Sequence, residues 1–121
     1  MGLDMYAYIT KTNIDQSVDF EMPKDAVEIA SWRKHPNLHG WMEKLYEANE
    51  GQDVFNCRNV QLTAEDIDAL EKAVLADNLP FTEGFFFGES TIENRNDDLE
   101  FIHKARQAFA GGYQVFYNAW W

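Results

Sequence analysis

The sequence predicts an α+β domain: a small antiparallel or mixed sheet, including the N- and C-terminal strands, packed by three to four helices. Three observations point there. The opening residues alternate with period two, the closing residues form an aromatic-rich apolar run, and the segments between carry apolar residues at helical spacing. The length, 121 residues, suits one domain over 1–121. A chain of this size buries roughly two-thirds of its unfolded surface and needs neither disulfide nor metal to fold. A hydrophobic fraction of 45% and an aromatic fraction of 15% supply a core and set the chain apart from disordered ones.

GLDMYAYIT, residues 2–10, reads as a strand with Leu3, Met5, Ala7 and Ile9 on one face. Residues 11–22 are polar and read as a loop or weak extended arm. PKDAVEIASWRK, residues 23–34, is expected to form a short helix. Pro23 suits its first position, Asp25 and Glu28 its acidic early turn, and Arg33 and Lys34 its carboxyl end. His35 precedes a proline and is pushed towards extended geometry. A second helix starts at Pro36, with Leu38, Trp41, Met42 and Leu45 on one face, and closes at Gly51. The stretch WRKHPNLHGW, Trp32 to Trp41, is therefore expected to be a helix–kink–helix junction.

VFNCRNVQL, residues 54–62, reads as a short strand of imperfect alternation. In TAEDIDALEKAVLAD, Thr63 is a good N-cap and Asp66 completes a capping box, while Ile67, Leu70 and Val74 line one face. After GFFFG, Gly84 to Gly88, and a polar stretch, DDLEFIHKARQAFAGG forms another helix. Asp97 and Asp98 sit at its start, Leu99, Ile102, Ala105 and Phe109 face inward, and Gly111–Gly112 stop it. YQVFYNAWW is apolar on both faces, as in a central or covered strand, and is expected to pair with the first strand.

The formal net charge is −11, from 21 acidic and 10 basic residues. Such a field repels phosphate backbones and anionic membrane surfaces, so neither direct nucleic-acid binding nor membrane binding is expected. There is one cysteine, Cys57, so no internal disulfide can form. The opening residues show no signal-peptide pattern, and Tyr6 stands where a myristoylation motif wants Ser or Thr. No apolar run approaches membrane-spanning length, and the expected location is the cytoplasm.

Candidate chemistry concentrates in two places. His35 and His39 are spaced i, i+4, as metal sites on helices use, but Pro36 stands where that motif has glutamate. Further ligands would have to come from Cys57, His103 or Glu43, so no metal and no cofactor is predicted. Arg33, Lys34 and His35 precede a helix amino end, where free N–H groups attract anions. Trp32 and Trp41 flank them. Phe85 and Phe87, within GFFFG, could supply apolar walls to a ligand pocket, although three phenylalanines more often form core. Cys57 is expected to be buried and structural. No phosphate loop, nucleophile elbow or kinase signature is present.

Several stretches together, MGLDMY, WRKHPNLHGWME, FNC followed by LTAEDIDALE, GFFFG, DDLEFI and VFYNAWW, resemble a family of small proteins from bacteriophages and some bacteria. The resemblance covers nearly the whole chain. It implies a phage-related protein but carries no assigned activity or catalytic residues. Members are sometimes labelled phosphoglycerate kinases. The residues here give that label no support, because the chain is far too short for a two-domain kinase and has no nucleotide-binding fingerprint.

The first functional expectation is a non-enzymatic accessory protein that binds a host or viral protein. The second is a small ligand-binding domain or enzyme with an anion or metal site around Arg33, His35 and His39, walled by Trp41 and the phenylalanines. The third is a nucleic-acid mimic built on the acidic rows Glu65, Asp66, Asp68, Glu71 and Glu93, Asp97, Asp98, Glu100. The oligomeric state is not legible.

Overall fold

The computed structural model describes residues 2–84 and 87–121. Among them, four strands form one antiparallel sheet in the order β2-β1-β4-β3. They are β1 (Asp4–Thr10), β2 (Val27–Arg33), β3 (Val60–Leu62) and β4 (Gln114–Trp120). Three helices complete the fold among the described residues: α1 (Pro36–Ala48), α2 (Ala64–Leu75) and α3 (Asn94–Ala110). This is the α+β arrangement expected, with the first and last strands paired at its centre. None of the helices among the described residues is long and apolar enough to cross a membrane.

The period-two pattern of β1 buries Leu3, Met5 and Ala7 completely. They meet Val115, Tyr117 and Ala119 of the neighbouring strand β4 in one apolar cluster with the helices. Phe116 points to the opposite face of the sheet, where it stacks on Tyr8 and meets Phe20 edge-on. That explains why β4 is apolar on both faces. The arm before β2 reaches β3 through a bridge between Val18 and Val60.

One expected element is overturned. Residues 27–33 are a strand, not a helix, and pair with β1 from Val27–Ile9 to Arg33–Asp4. Val27, Ile29 and Trp32 suit a pleated surface, and the hydrogen bonds available from β1 override the helix-start cues. Those cues do other work. Pro23 accepts a turn bond from Ala26 N–H, and the Asp25 carboxylate accepts from Thr10 Oγ1, Thr12 Oγ1 and the Lys11 amide, fixing the end of β1. The segment Trp32 to Trp41 is therefore a strand-to-helix junction. Lys34 turns the chain with φ 56°.

The helices keep their expected cores with small rotations. Thr63 and Asp66 form the capping box of α2, and Ile67, Leu70 and Val74 are buried. In α1 the buried face runs through Leu38, His39, Met42 and Tyr46, with Trp41 and Leu45 at its margin. In α3 it includes Asp98, Phe101, Ile102, Ala105 and Ala108. Asp98 thus lies in the interior, not in an exposed acidic row. The 54–62 stretch is strand only at Val60–Leu62. Cys57 occupies a bend with φ 61° and is exposed, against the expected burial. The left-handed turn takes it out of strand alternation.

A candidate site where His35, Ser90 and Asp98 meet

The end of β2 and the start of α1 place His35 at the N-cap position of α1. Its side chain does not cap the helix; it turns inward and is 2% exposed. Its Nε2 lies 2.9 Å from Asp98 Oδ2, on the first turns of α3. Its Nδ1 lies 2.6 Å from Ser90 Oγ. Ser90 Oγ in turn accepts the Asn37 amide N–H at 3.1 Å, so the serine caps α1 in place of the histidine.

These partners fix the proton arrangement of a neutral imidazole. A carboxylate only accepts, so Nε2 carries the proton and donates it to Asp98. Nδ1 then accepts the Ser90 hydroxyl proton. The result is a directed chain: α1 amide to Ser90, Ser90 to His35, His35 to Asp98. Burial pushes the Asp98 carboxyl above its ordinary value, and His35 pulls it back by stabilising the charged form. The Trp32 indole N–H favours the charged form as well, although Trp32 Nε1 and Asp98 Oδ1 are both buried without a full hydrogen bond among the described residues.

The chain of polar groups opens into a cleft of about 310 Å³, lined among others by His35, Asn37, Leu79, Ser90, Arg95 and Asp98. That volume is at the small end of the usual range for ligand sites. Arg95 has no acidic partner among the described residues, so its guanidinium is available to a ligand. Two glycines let the flanking loop come close. A Cβ on Gly40 would collide with the Thr82 side chain, and Thr82 N–H donates to Asn37 Oδ1. Gly88 has φ +74° and passes against Lys34, aiming the chain that carries Ser90 at His35.

The other candidates lie elsewhere. His39 does not join His35. Its Nδ1 meets Tyr117 Oη at 2.8 Å, and its ring stacks on Phe55 and meets Phe87 edge-on. Burial pulls its pKa down to about 4, so it is neutral at pH 7, and its Nε2 is buried without a partner among the described residues. Phe87 is core, packed on His39 and Trp121; Phe85 lies outside the described residues. Trp32 is core against Phe101. Trp41 packs partly buried on that core. Arg33 approaches Asp4 at 3.6 Å and is largely exposed, as is Lys34. Among the described residues no group of three or more His, Cys, Asp or Glu is placed to hold a metal ion.

Two of the three central groups carry no site signal in the sequence. Ser90 sits in a polar stretch without any motif around it. Asp98 reads as an ordinary helix-start acid. Their separation from His35, 55 and 63 residues, leaves no local signal of the contact. No protein-family model, curated protein or solved structure matches the chain.

Proposed function

We propose that this protein is a small ligand-binding domain whose site is the cleft over Ser90, His35 and Asp98, and that it takes a small polar molecule bearing a carbonyl or carboxylate. One observation carries the reading: a histidine and an aspartate, each about 2% exposed or less, are hydrogen-bonded to each other and to a serine at the wall of a cleft. Capping α1 requires only the serine. Burying an ionisable pair beneath it costs desolvation that an apolar pair would avoid, and such pairs concentrate at functional sites. Arg95, which lines the same cleft, offers positive charge and donors to an acceptor group.

The test is a titration followed by two-dimensional amide NMR, with acetate, inorganic phosphate and N-methylacetamide as probes. Shifts at Asn37, Ser90, Arg95 and Asp98 with acetate or the amide support the reading. Shifts confined to other surfaces, or none at tens of millimolar, sink it.

A second reading, protein binding, is favoured by the exposed aromatic surface of Trp120 and Trp121, which are 47% and 39% exposed. A host or phage protein would cover it. Enrichment of a partner by tagged protein that is lost in Trp120→Ser/Trp121→Ser supports this reading; enrichment that survives the double substitution excludes this surface.

A further inference from the structure

We infer that Ser90 is a nucleophile and that the cleft performs acyl transfer on a small ester or thioester. This rests on the cleft being a ligand site and says what the site does with the ligand. Three groups are arranged in the order that activates a serine: hydroxyl, imidazole, carboxylate. Ser90 Oγ is 2.6 Å from an imidazole nitrogen that accepts its proton. The other nitrogen is 2.9 Å from a carboxylate that is 1% exposed. Here Nδ1 faces the serine and Nε2 the aspartate. Either ring nitrogen can take the proton, and its partner fixes which one does.

The step balances with an ester and water alone. Ser90 Oγ bonds to the acyl carbon while its proton passes to His35 Nδ1. The carbonyl oxygen becomes negative in the cleft that the Arg95 guanidinium also lines. The tetrahedral adduct collapses, the acyl–oxygen bond to the alcohol breaks, and Nδ1 returns the proton to that leaving oxygen. Water then attacks the acyl-serine, giving its proton to Nδ1. The Oγ–acyl bond breaks, the acid leaves, and Ser90 recovers its proton. His35 is the acid and base. Asp98 is a positioning residue that holds the tautomer and stabilises the imidazolium. For a thioester the leaving atom is sulfur and the proton count is unchanged.

The experiment uses the whole chain and diisopropyl fluorophosphate, which phosphorylates activated serines with loss of fluoride. Intact mass and peptide mapping should show one diisopropylphosphoryl group on Ser90 of the native protein, and none after unfolding in urea. Ser90→Ala should carry no label. His35→Gln, checked for native circular dichroism, should label about 10²–10⁴-fold more slowly, the usual contribution of a general base. In Asp98→Asn of native circular dichroism, the pH of half-maximal labelling should move down, because the imidazole has lost its carboxylate.

No label on the native protein, label on another residue, or equal labelling of native and unfolded chain overturns the proposal. Unchanged labelling in folded His35→Gln does so too. An Asp98→Asn profile that coincides with the wild type removes Asp98 from the mechanism. The NMR titration separates the two levels. Cleft shifts without labelling leave a binding site with an inert serine, whereas absence of both removes the site itself.

Discussion

His35 and His39 stand one helical turn apart and are equally buried, at 2% and 1% exposure, yet they have opposite surroundings. His35 has both ring nitrogens hydrogen-bonded to polar side chains, one of them a carboxylate. Among the described residues, His39 has one hydrogen-bond partner, the Tyr117 hydroxyl, and aromatic rings elsewhere. The imidazole beside an anion can carry charge and exchange a proton. The imidazole among rings is held neutral and behaves as a polar-edged aromatic. Spacing in the sequence placed the two side by side; the third dimension separated their chemistry.

The comparison predicts unequal costs of disruption. Asp98→Ala should be the most damaging change, because it strands His35 in the interior without its anion. Breaking a buried pair by removing one partner costs about 3–5 kcal/mol. Urea unfolding at pH 7 followed by tryptophan fluorescence would measure it. A loss below about 1 kcal/mol would mean that the pair is neither desolvated nor rigid.

How far the sequence shows this contrast depends on the range of the contacts. The capping box of α2 was legible because Thr63 and Asp66 are three residues apart. The pairing of β1 with β4 was legible because alternation marks both segments. Strand β2 resembles a helix in sequence because Pro23, Asp25, Arg33 and Lys34 imitate helix ends, while its partner strand is invisible to local pattern. Only His35 of the central trio stands out in the sequence, through its spacing to His39 and its place beside Arg33 and Lys34 before a helix start. Ser90 and Asp98 join it across the fold, and no periodicity encodes a meeting of three distant chain segments.

Acid should expose the other half of the comparison. Burial holds His39 at about 4 in the folded protein, against about 6.5 in the unfolded chain. Above pH 6.5 both states are neutral there and the stability is complete. As the pH falls from 6.5 to 4 the unfolded chain takes up the proton first, so stability falls, by about 3 kcal/mol over that window. The raised Asp98 carboxyl acts in the opposite sense, because its protonation at low pH relieves a buried charge. Comparing wild type with His39→Phe at pH 7 and pH 5 isolates the histidine; the phenylalanine variant should lose less stability over that interval. An equal loss in both proteins would show that His39 is not the group responsible.

At pH 7, His39→Phe should cost about 1–3 kcal/mol. The ring volume is kept and the stranded Nε2 disappears, but the fully buried Tyr117 hydroxyl loses its partner. Adding Tyr117→Phe should recover most of the loss, since removing both partners of a buried hydrogen bond is far cheaper than removing one. A double variant no better than the single one would indicate that packing, not the hydrogen bond, sets the cost.

Ser90→Ala should have the smallest effect on the fold. It deletes the oxygen that accepts the Asn37 N–H, and losing a helix cap costs about 1 kcal/mol. His35 keeps Asp98, and its freed Nδ1 faces the cleft, where water can replace the hydroxyl. The melting temperature should fall by roughly 3–6 °C, the shift that 1 kcal/mol gives in a domain of this size. A serine that only caps a helix predicts that modest drop and no chemical consequence. A serine activated by His35 predicts the same modest drop with complete loss of organophosphate labelling. The two roles of Ser90 agree on the melting curve and part at the label, so measuring both on one variant separates fold from function at the site.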